Sequence, residues 1–183
     1  MKIRLKVRHY EVDAYGHVNH ANYVHYFEVA RVEALDTLGL SLDEMRRQGY
    51  LLVAAEIVVK FHSPARSGES LDITTEIREI RGARSLWVQE MREAGSERLV
   101  ATAEVTGALM TEGGHPVRIP ATFRAQLSTL SGPSALPTAP AGDPAGRGEA
   151  RNAGRFGAPI RLLSPEANPS WCAPPPARGR RRA

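Results

Sequence analysis

Cysteine is nearly absent: Cys172 is the only one in 183 residues, so neither an internal disulfide framework nor a cysteine-based zinc cluster is available. A cytoplasmic setting is expected. Long apolar runs are missing as well, none approaching the roughly 20 residues needed to span a bilayer. The opening residues alternate Lys2, Arg4, Lys6 and Arg8 with Ile3, Leu5 and Val7, which is unlike the continuous apolar core of a signal peptide. No targeting signal and no membrane contact are therefore expected. Proline is scarce wherever apolar periodicity is strong, since only Pro64, Pro116 and Pro120 of 13 prolines precede residue 131.

Those absences divide the chain in two. Residues 1–130 hold all six histidines and the regular apolar patterns that build a core, and are read as one folded domain. Residues 131–183 are rich in Pro, Ala, Gly and Arg, a composition that cannot offset the entropy of ordering. That stretch is expected to be a largely disordered tail, with one apolar patch around Ile160 to Leu163. The net charge of +4 also resolves by location. The tail carries eight arginines against Asp143, Glu149 and Glu166, leaving the domain with 16 basic and 17 acidic residues. Basicity confined to such a tail reads as a solvated charge run, so no nucleic-acid partner is expected; a salt-dependent contact through the tail is the alternative.

Within the domain, Ile3, Leu5 and Val7 have the period of a half-buried strand. A polar loop follows from Tyr10 to Asn19, and then Tyr23, Phe27, Ala30, Ala34 and Leu38 recur at helical spacing until Gly39 stops the helix. A short helix is predicted over Leu42 to Gln48, with Ser41 as cap and Asp43 and Glu44 at the positive end of its dipole. Four strands are then predicted, at Leu51 to Phe61, Leu71 to Ile80, Ser85 to Glu93 and Arg98 to Met110. The connections holding Gly82 and Gly95 are too short for parallel crossovers. A last short strand is expected around Val117 to Ile119, and a helical turn from Pro120 to about Leu127. The order is strand, long helix, meander: an α+β layout whose largely antiparallel sheet must be covered by one helix. Part of the sheet surface is left for a partner subunit, so at least a dimer is expected.

The segment His9 to Arg31 is denser in ionisable and aromatic groups than folding alone requires. Asp13, His17, Asn19 and His20 lie in or beside a loop that enters the long helix, where unpaired amides and the dipole supply positive potential. That combination suits acyl transfer, in which a helix-end amide polarises a thioester carbonyl while a carboxylate attacks or activates water. Other readings compete residue by residue. Asp13 to Gly16 has the chemistry of an ordinary β-turn. His17, His20 and His25 with Asp13 and Glu28 resemble a metal-ligand set in type, but structural roles are expected and no metal. His9 and His62 are read as strand-end residues satisfied locally, Glu28 and Glu33 as solvated or interface positions, and Arg31 as pairing with Glu28 one turn back. Arg66, Arg84 and Arg118 are turn cations that could meet the phosphates of a ligand, although exposed arginines are common.

The same residues carry a family resemblance. Asp13, Gly16, His17, Val18, Asn19, Tyr23, Tyr26-Phe27, Glu28 and Arg31 reproduce the motif D-x-x-G-H-V-N-x-x-x-Y-x-x-Y/F-x-E-x-A-R of the hotdog-fold acyl-CoA thioesterases similar to 4-hydroxybenzoyl-CoA thioesterase. The resemblance covers residues 1 to about 130, including the turn Phe61 to Leu71, and departs from the usual pattern at Val12, often Thr, and His20, often Asn. It implies a hotdog fold, an antiparallel sheet wrapped around one long central helix. It implies further that Asp13 is the catalytic carboxylate, as nucleophile through an acyl-enzyme anhydride or as general base, and that the His20 backbone amide polarises the thioester carbonyl. Gly16, His17, Asn19 and Tyr23 would bind substrate or support the loop, Gly16 by allowing close approach to substrate and Asn19 by holding the loop or capping the helix. The implied substrate is acyl-CoA, the implied assembly a homodimer or homotetramer, and no cofactor is called for. Retention of Asp13 argues against a non-catalytic acyl-CoA-binding module, and a near-neutral domain argues against an acidic acyl carrier protein as substrate.

Overall fold

Alternation at the start of the chain produces β1 (Lys2–Lys6), with Ile3 and Leu5 turned inward. A computed structural model describes residues 1–131; the expectations for the tail, the Ile160 to Leu163 patch and Cys172 fall outside them. After a single 3-10 turn at His9–Glu11 and a loop, α1 (His20–Thr37) buries Tyr23, Tyr26, Phe27, Ala30, Ala34 and Leu35, the stripe that a 3.6-residue period turns to one side. Its end is set by Gly39, whose φ of 70° is open to glycine without strain. There the Leu40 amide returns to Leu35 O at 2.9 Å, closing a Schellman-type cap.

The short helix α2 (Leu42–Arg47) starts at Ser41, whose hydroxyl accepts from the Glu44 amide. Four long strands follow: β2 (Tyr50–Phe61), β3 (Ser70–Arg81), β4 (Arg84–Glu93) and β5 (Leu99–Thr111), then α3 (Ala121–Ser128). All pairings are antiparallel and the sheet order is β1-β3-β4-β5-β2. The expected meander holds for β3, β4 and β5 but not for β2, which crosses to the far edge and pairs with β5 from Tyr50↔Thr111 to Phe61↔Ala101. Its link to β3 is thus a crossing turn, not a hairpin. The expected strand at Val117 to Ile119 is instead an isolated bridge, Met110↔Pro116, with the Val117 and Ile119 amides bonded to Leu109 and Gly82. Pro116 and Pro120 lack the amide donors a ladder would need.

Register shifts at Ala54/Glu56, Ile77/Glu79 and Met91/Arg92 bend the strands, and the sheet curls around α1. Leu71, Ile73, Trp87, Met91, Val100 and Val105 face the helix, all essentially excluded from solvent. Full burial of a side chain such as Phe27, 0% exposed, contributes roughly 2 kcal/mol. Among the described residues no helix is long and apolar enough to cross a membrane.

Candidate active site

Local chain chemistry folds the loop ahead of α1 into a small hairpin. Val12 and Val18 bridge across it, the Asp13 amide donates to His17 O at 2.7 Å, and the Gly16 amide returns to Asp13 O at 3.0 Å. Gly16 sits at φ 78°, and among the described residues nothing beyond its chain neighbours lies within 4 Å of where a Cβ would stand. Within the protein, then, its contribution is the left-handed backbone conformation. The turn reading of Asp13 to Gly16 is correct as a description of the backbone, and it places the Asp13 carboxylate at the mouth of the hairpin.

That carboxylate is used unequally. Oδ1 accepts from the Tyr15 amide at 2.9 Å and from the His17 amide at 3.3 Å, whereas Oδ2 has no hydrogen-bond partner among the described residues. The loop then runs directly into α1. Asn19 caps the helix, its Oδ1 accepting from the Ala21 amide at 3.0 Å and its carbonyl from the Asn22 amide at 2.9 Å. Between them the His20 amide donates to no other described residue, while its imidazole is exposed. One carboxylate oxygen and one helix-end amide are therefore both available at the same junction.

Asp13, Gly16, His17, Asn19 and His20 all belong to this loop or its joint with α1. His17 is buried, 9% exposed. Tyr23 lies below, 1% exposed, stacked edge-on against Phe61 with ring centroids 5.1 Å apart. Its hydroxyl accepts from the Ala65 amide at 3.1 Å, and burial pushes its pKa up, so it remains a neutral phenol. The Ala65 carbonyl in turn receives the Val18 amide at 2.9 Å. The crossing turn between β2 and β3 is thus bolted to the loop, and Arg98, the residue before β5, stiffens it by donating to Ser63 Oγ, Pro64 O and Glu69 Oε2.

Other residues fall elsewhere. Arg31 does not pair with Glu28: its Nη1 donates to Gln89 Oε1 at 2.8 Å, and burial draws its pKa below the usual guanidinium value, with Glu28 opposing. Gln89 is fully buried and offers that oxygen because its Nε2 is held by Phe27 O and Thr75 Oγ1. Of the turn cations, Arg66 is beside the site, next to Ala65. Arg84 and Arg118 flank the β3–β4 turn, where Ile119 bonds Gly82, at the opposite end of a 12-residue strand about 36 Å long. His9 opens the 3-10 turn against Tyr10, and His62 meets Thr102 Oγ1 at 3.1 Å. Among the described residues no three His, Cys, Asp or Glu side chains converge as metal ligands. A cavity of about 80 Å³ opens between the second half of α1 and the β2–β5 side of the sheet, walled by Val32, Leu35, Leu52, Trp87 and Val105, with Glu28 and Arg31 as its polar side.

Sequence reasoning missed Glu11 and Gln89. Glu11 is 7% exposed and joins the loop to α1 through Tyr26. Gln89 shares the inward parity of Trp87 and Met91, a signal that strand alternation did contain.

Residues 7–127 match the family model described as the thioesterase-like superfamily. The acyl-acyl carrier protein thioesterase ATL3 of Arabidopsis thaliana chloroplasts is 32% identical over 126 residues, 69% of this chain and 66% of that protein. The chain thus spans just under two thirds of that relative's length. The acyl-CoA thioester hydrolase YbgC of Escherichia coli is 33% identical over 101 residues, 55% of this chain and 75% of that one. Among solved structures, hypothetical protein TT1821 from Thermus thermophilus superposes with a TM-score of 0.65 at 30% identity, covering 70% of this chain and 98% of that one.

Proposed function

Because this chain belongs to the thioesterase-like superfamily, we propose that it hydrolyses acyl-CoA to a carboxylic acid and CoA, with Asp13 as nucleophile or general base and the His20 amide holding the carbonyl. The observation that carries this reading is the unequal use of the Asp13 carboxylate. Two loop amides fix Oδ1 and, among the described residues, leave Oδ2 uncommitted, beside a helix end whose first amide meets no described acceptor. Negative charge grows on the thioester oxygen as the acyl carbon is attacked. A preorganised amide aimed at that oxygen is worth roughly 3 kcal/mol of transition-state stabilisation, and the helix dipole acts in the same direction.

Asp13 acts in one of two ways. As nucleophile, Oδ2 bonds to the acyl carbon, the thiolate leaves and takes a proton, and water hydrolyses the resulting anhydride. As general base, Asp13 removes a proton from water as its oxygen bonds to the carbon, and the thiolate departs to be protonated. Both routes consume one water and release acid and thiol. Thiolate is a good leaving group, so a dedicated general acid is unnecessary. Gly16 and His17 shape the loop, Asn19 aligns the helix end, and Tyr23 holds the loop to the crossing turn.

The cavity along α1 supports an acyl slot, since the helix rise of 1.5 Å per residue carries Glu28 about 12 Å from His20. Arg66, which follows Ala65 in the crossing turn, is the candidate cation for CoA phosphates. The outer edge of β2, 12 residues long and without a neighbouring strand among the described residues, supports a homodimer or homotetramer, because long bare edges seek a strand. The reading places this chemistry in the cytoplasm, without cofactor. A second reading, hydrolysis of acyl groups on a carrier protein, draws on the likeness to the plant relative. Thiol release from a panel of acyl-CoAs and the matching acyl carrier protein conjugates tests the proposal. Faster turnover of the CoA esters is expected, and absence of thiol release from either class would refute it.

A further inference from the structure

The most thoroughly engaged polar group near the loop is one that the proposed reaction does not use. Glu11 ends the 3-10 turn two residues before Asp13, and its carboxylate is almost wholly buried. Oε2 accepts from the Tyr26 hydroxyl and from the Arg8 amide, both at 2.6 Å, and Oε1 lies 3.3 Å from Arg8 Nη1. Its backbone carbonyl receives two more donors, the Asn19 amide at 2.9 Å and Asn22 Nδ2 at 2.8 Å. One residue thus grips the outgoing strand of the loop by its main chain and the second turn of α1 by its side chain.

The grip spans the parts that need registration. Asp13 leaves Glu11 on one side, and Asn19, which Glu11 holds directly, precedes His20 on the other. We propose, resting on the thioesterase reading, that Glu11 is a positioning residue. Anchored by Tyr26, it sets the placement of the Asp13 carboxylate relative to the His20 amide. A misplacement of about 1 Å in such an arrangement costs on the order of 100-fold in rate, so the clamp should act on turnover more than on substrate affinity. Burial alone would raise the Glu11 pKa, but the hydrogen bonds from Tyr26 and Arg8 bring it below the usual range, and the clamp is charged at neutral pH.

The test compares Glu11→Gln, Tyr26→Phe and the double variant with the unaltered chain, by steady-state kinetics on an acyl-CoA at a temperature where circular dichroism shows each to be folded. A positioning role predicts a kcat loss of tenfold or more in Glu11→Gln with KM within threefold. Tyr26→Phe should fall in the same direction, and the double variant should be no worse than Glu11→Gln. Amide exchange at Asn19 should quicken in step with the lost turnover. If melting temperatures drop while kcat of the folded protein stays within threefold, Glu11 is merely structural and the proposal fails; additive losses also overturn it. If Glu11→Gln does not fold, Tyr26→Phe, which removes one hydroxyl, decides by the same kcat criterion. Asp13→Asn run in parallel keeps the two ideas apart. Its full activity would sink the thioesterase mechanism, whereas an inactive Asp13→Asn beside a fully active Glu11→Gln would sink only the clamp.

Discussion

Replacing Gln89 by leucine removes the polar bolt between α1 and the sheet while keeping side-chain bulk. Three hydrogen bonds go: Arg31 Nη1 to Oε1 at 2.8 Å, and Nε2 to Phe27 O at 2.9 Å and to Thr75 Oγ1 at 3.0 Å. The first is charge-assisted and worth about 2 kcal/mol, and the other two about 1 kcal/mol each. Leucine returns about 1.5 kcal/mol by burying an apolar group where an amide stood. The net loss is then about 2.5 kcal/mol, or a fall in Tm of about 10 °C for a folded unit of roughly this size. Most of it belongs to the Arg31 guanidinium, left in a half-buried position without its acceptor. A double-mutant cycle in urea tests that assignment. Arg31→Met should be destabilising in the unaltered background and far less so in Gln89→Leu, giving a coupling of about 1.5 kcal/mol or more. Additive effects, or a Gln89→Leu variant within 0.5 kcal/mol of the parent on the same approximate scale, would show that the bond network is incidental.

Asn19→Ala should cost about 1 kcal/mol in urea denaturation, because the Ala21 amide loses its cap. Asp72, 3% exposed, accepts from Lys2 Nζ at 2.7 Å and twice from Arg4 at 2.6 and 2.8 Å, and these bonds hold its carboxyl well below the usual range. A depressed carboxylate stabilises the fold above its unfolded pKa of about 4 and loses that contribution as pH falls toward its folded value. Asp72→Asn should therefore lower Tm at pH 7 and narrow its difference from the parent below about pH 4; a constant difference across that range would contradict the assignment. Truncation after Leu130, whose side chain is buried and whose carbonyl accepts the Ile77 amide, should leave kcat unchanged. A large fall in turnover would assign the tail a role.

What was legible in the sequence was local. Strand alternation at Leu71, Ile73, Thr75 and Ile77 and the helical stripe from Tyr23 to Ala34 express periods that backbone geometry imposes. The structure's elements begin and end within a few residues of those readings. The loop motif was visible because its spacing puts Asp13, Asn19 and His20 at one helix entrance. Pairing was not visible: nothing in the period of β2 says that Phe61 will lie beside Ala101 of β5 instead of beside a residue of β3, since neighbour choice is set by nonlocal burial. Arg31 was misassigned for a related reason. Spacing along one helix offered Glu28, but the sheet beneath supplied a buried acceptor, Gln89, already oriented by two bonds of its own. Glu11 escaped notice because a glutamate in a polar loop reads as solvated until Tyr26, 15 positions on, closes over it.

Whether Asp13 performs the chemistry is read from thiol release by Asp13→Asn on the best acyl-CoA of the panel. The substitution keeps an oxygen for the Tyr15 and His17 amides and so preserves the turn, while removing the charge. The expected kcat is at least about 100-fold lower in a protein with unchanged circular dichroism and oligomeric state. A folded Asp13→Asn variant that releases CoA at the parental rate would contradict it.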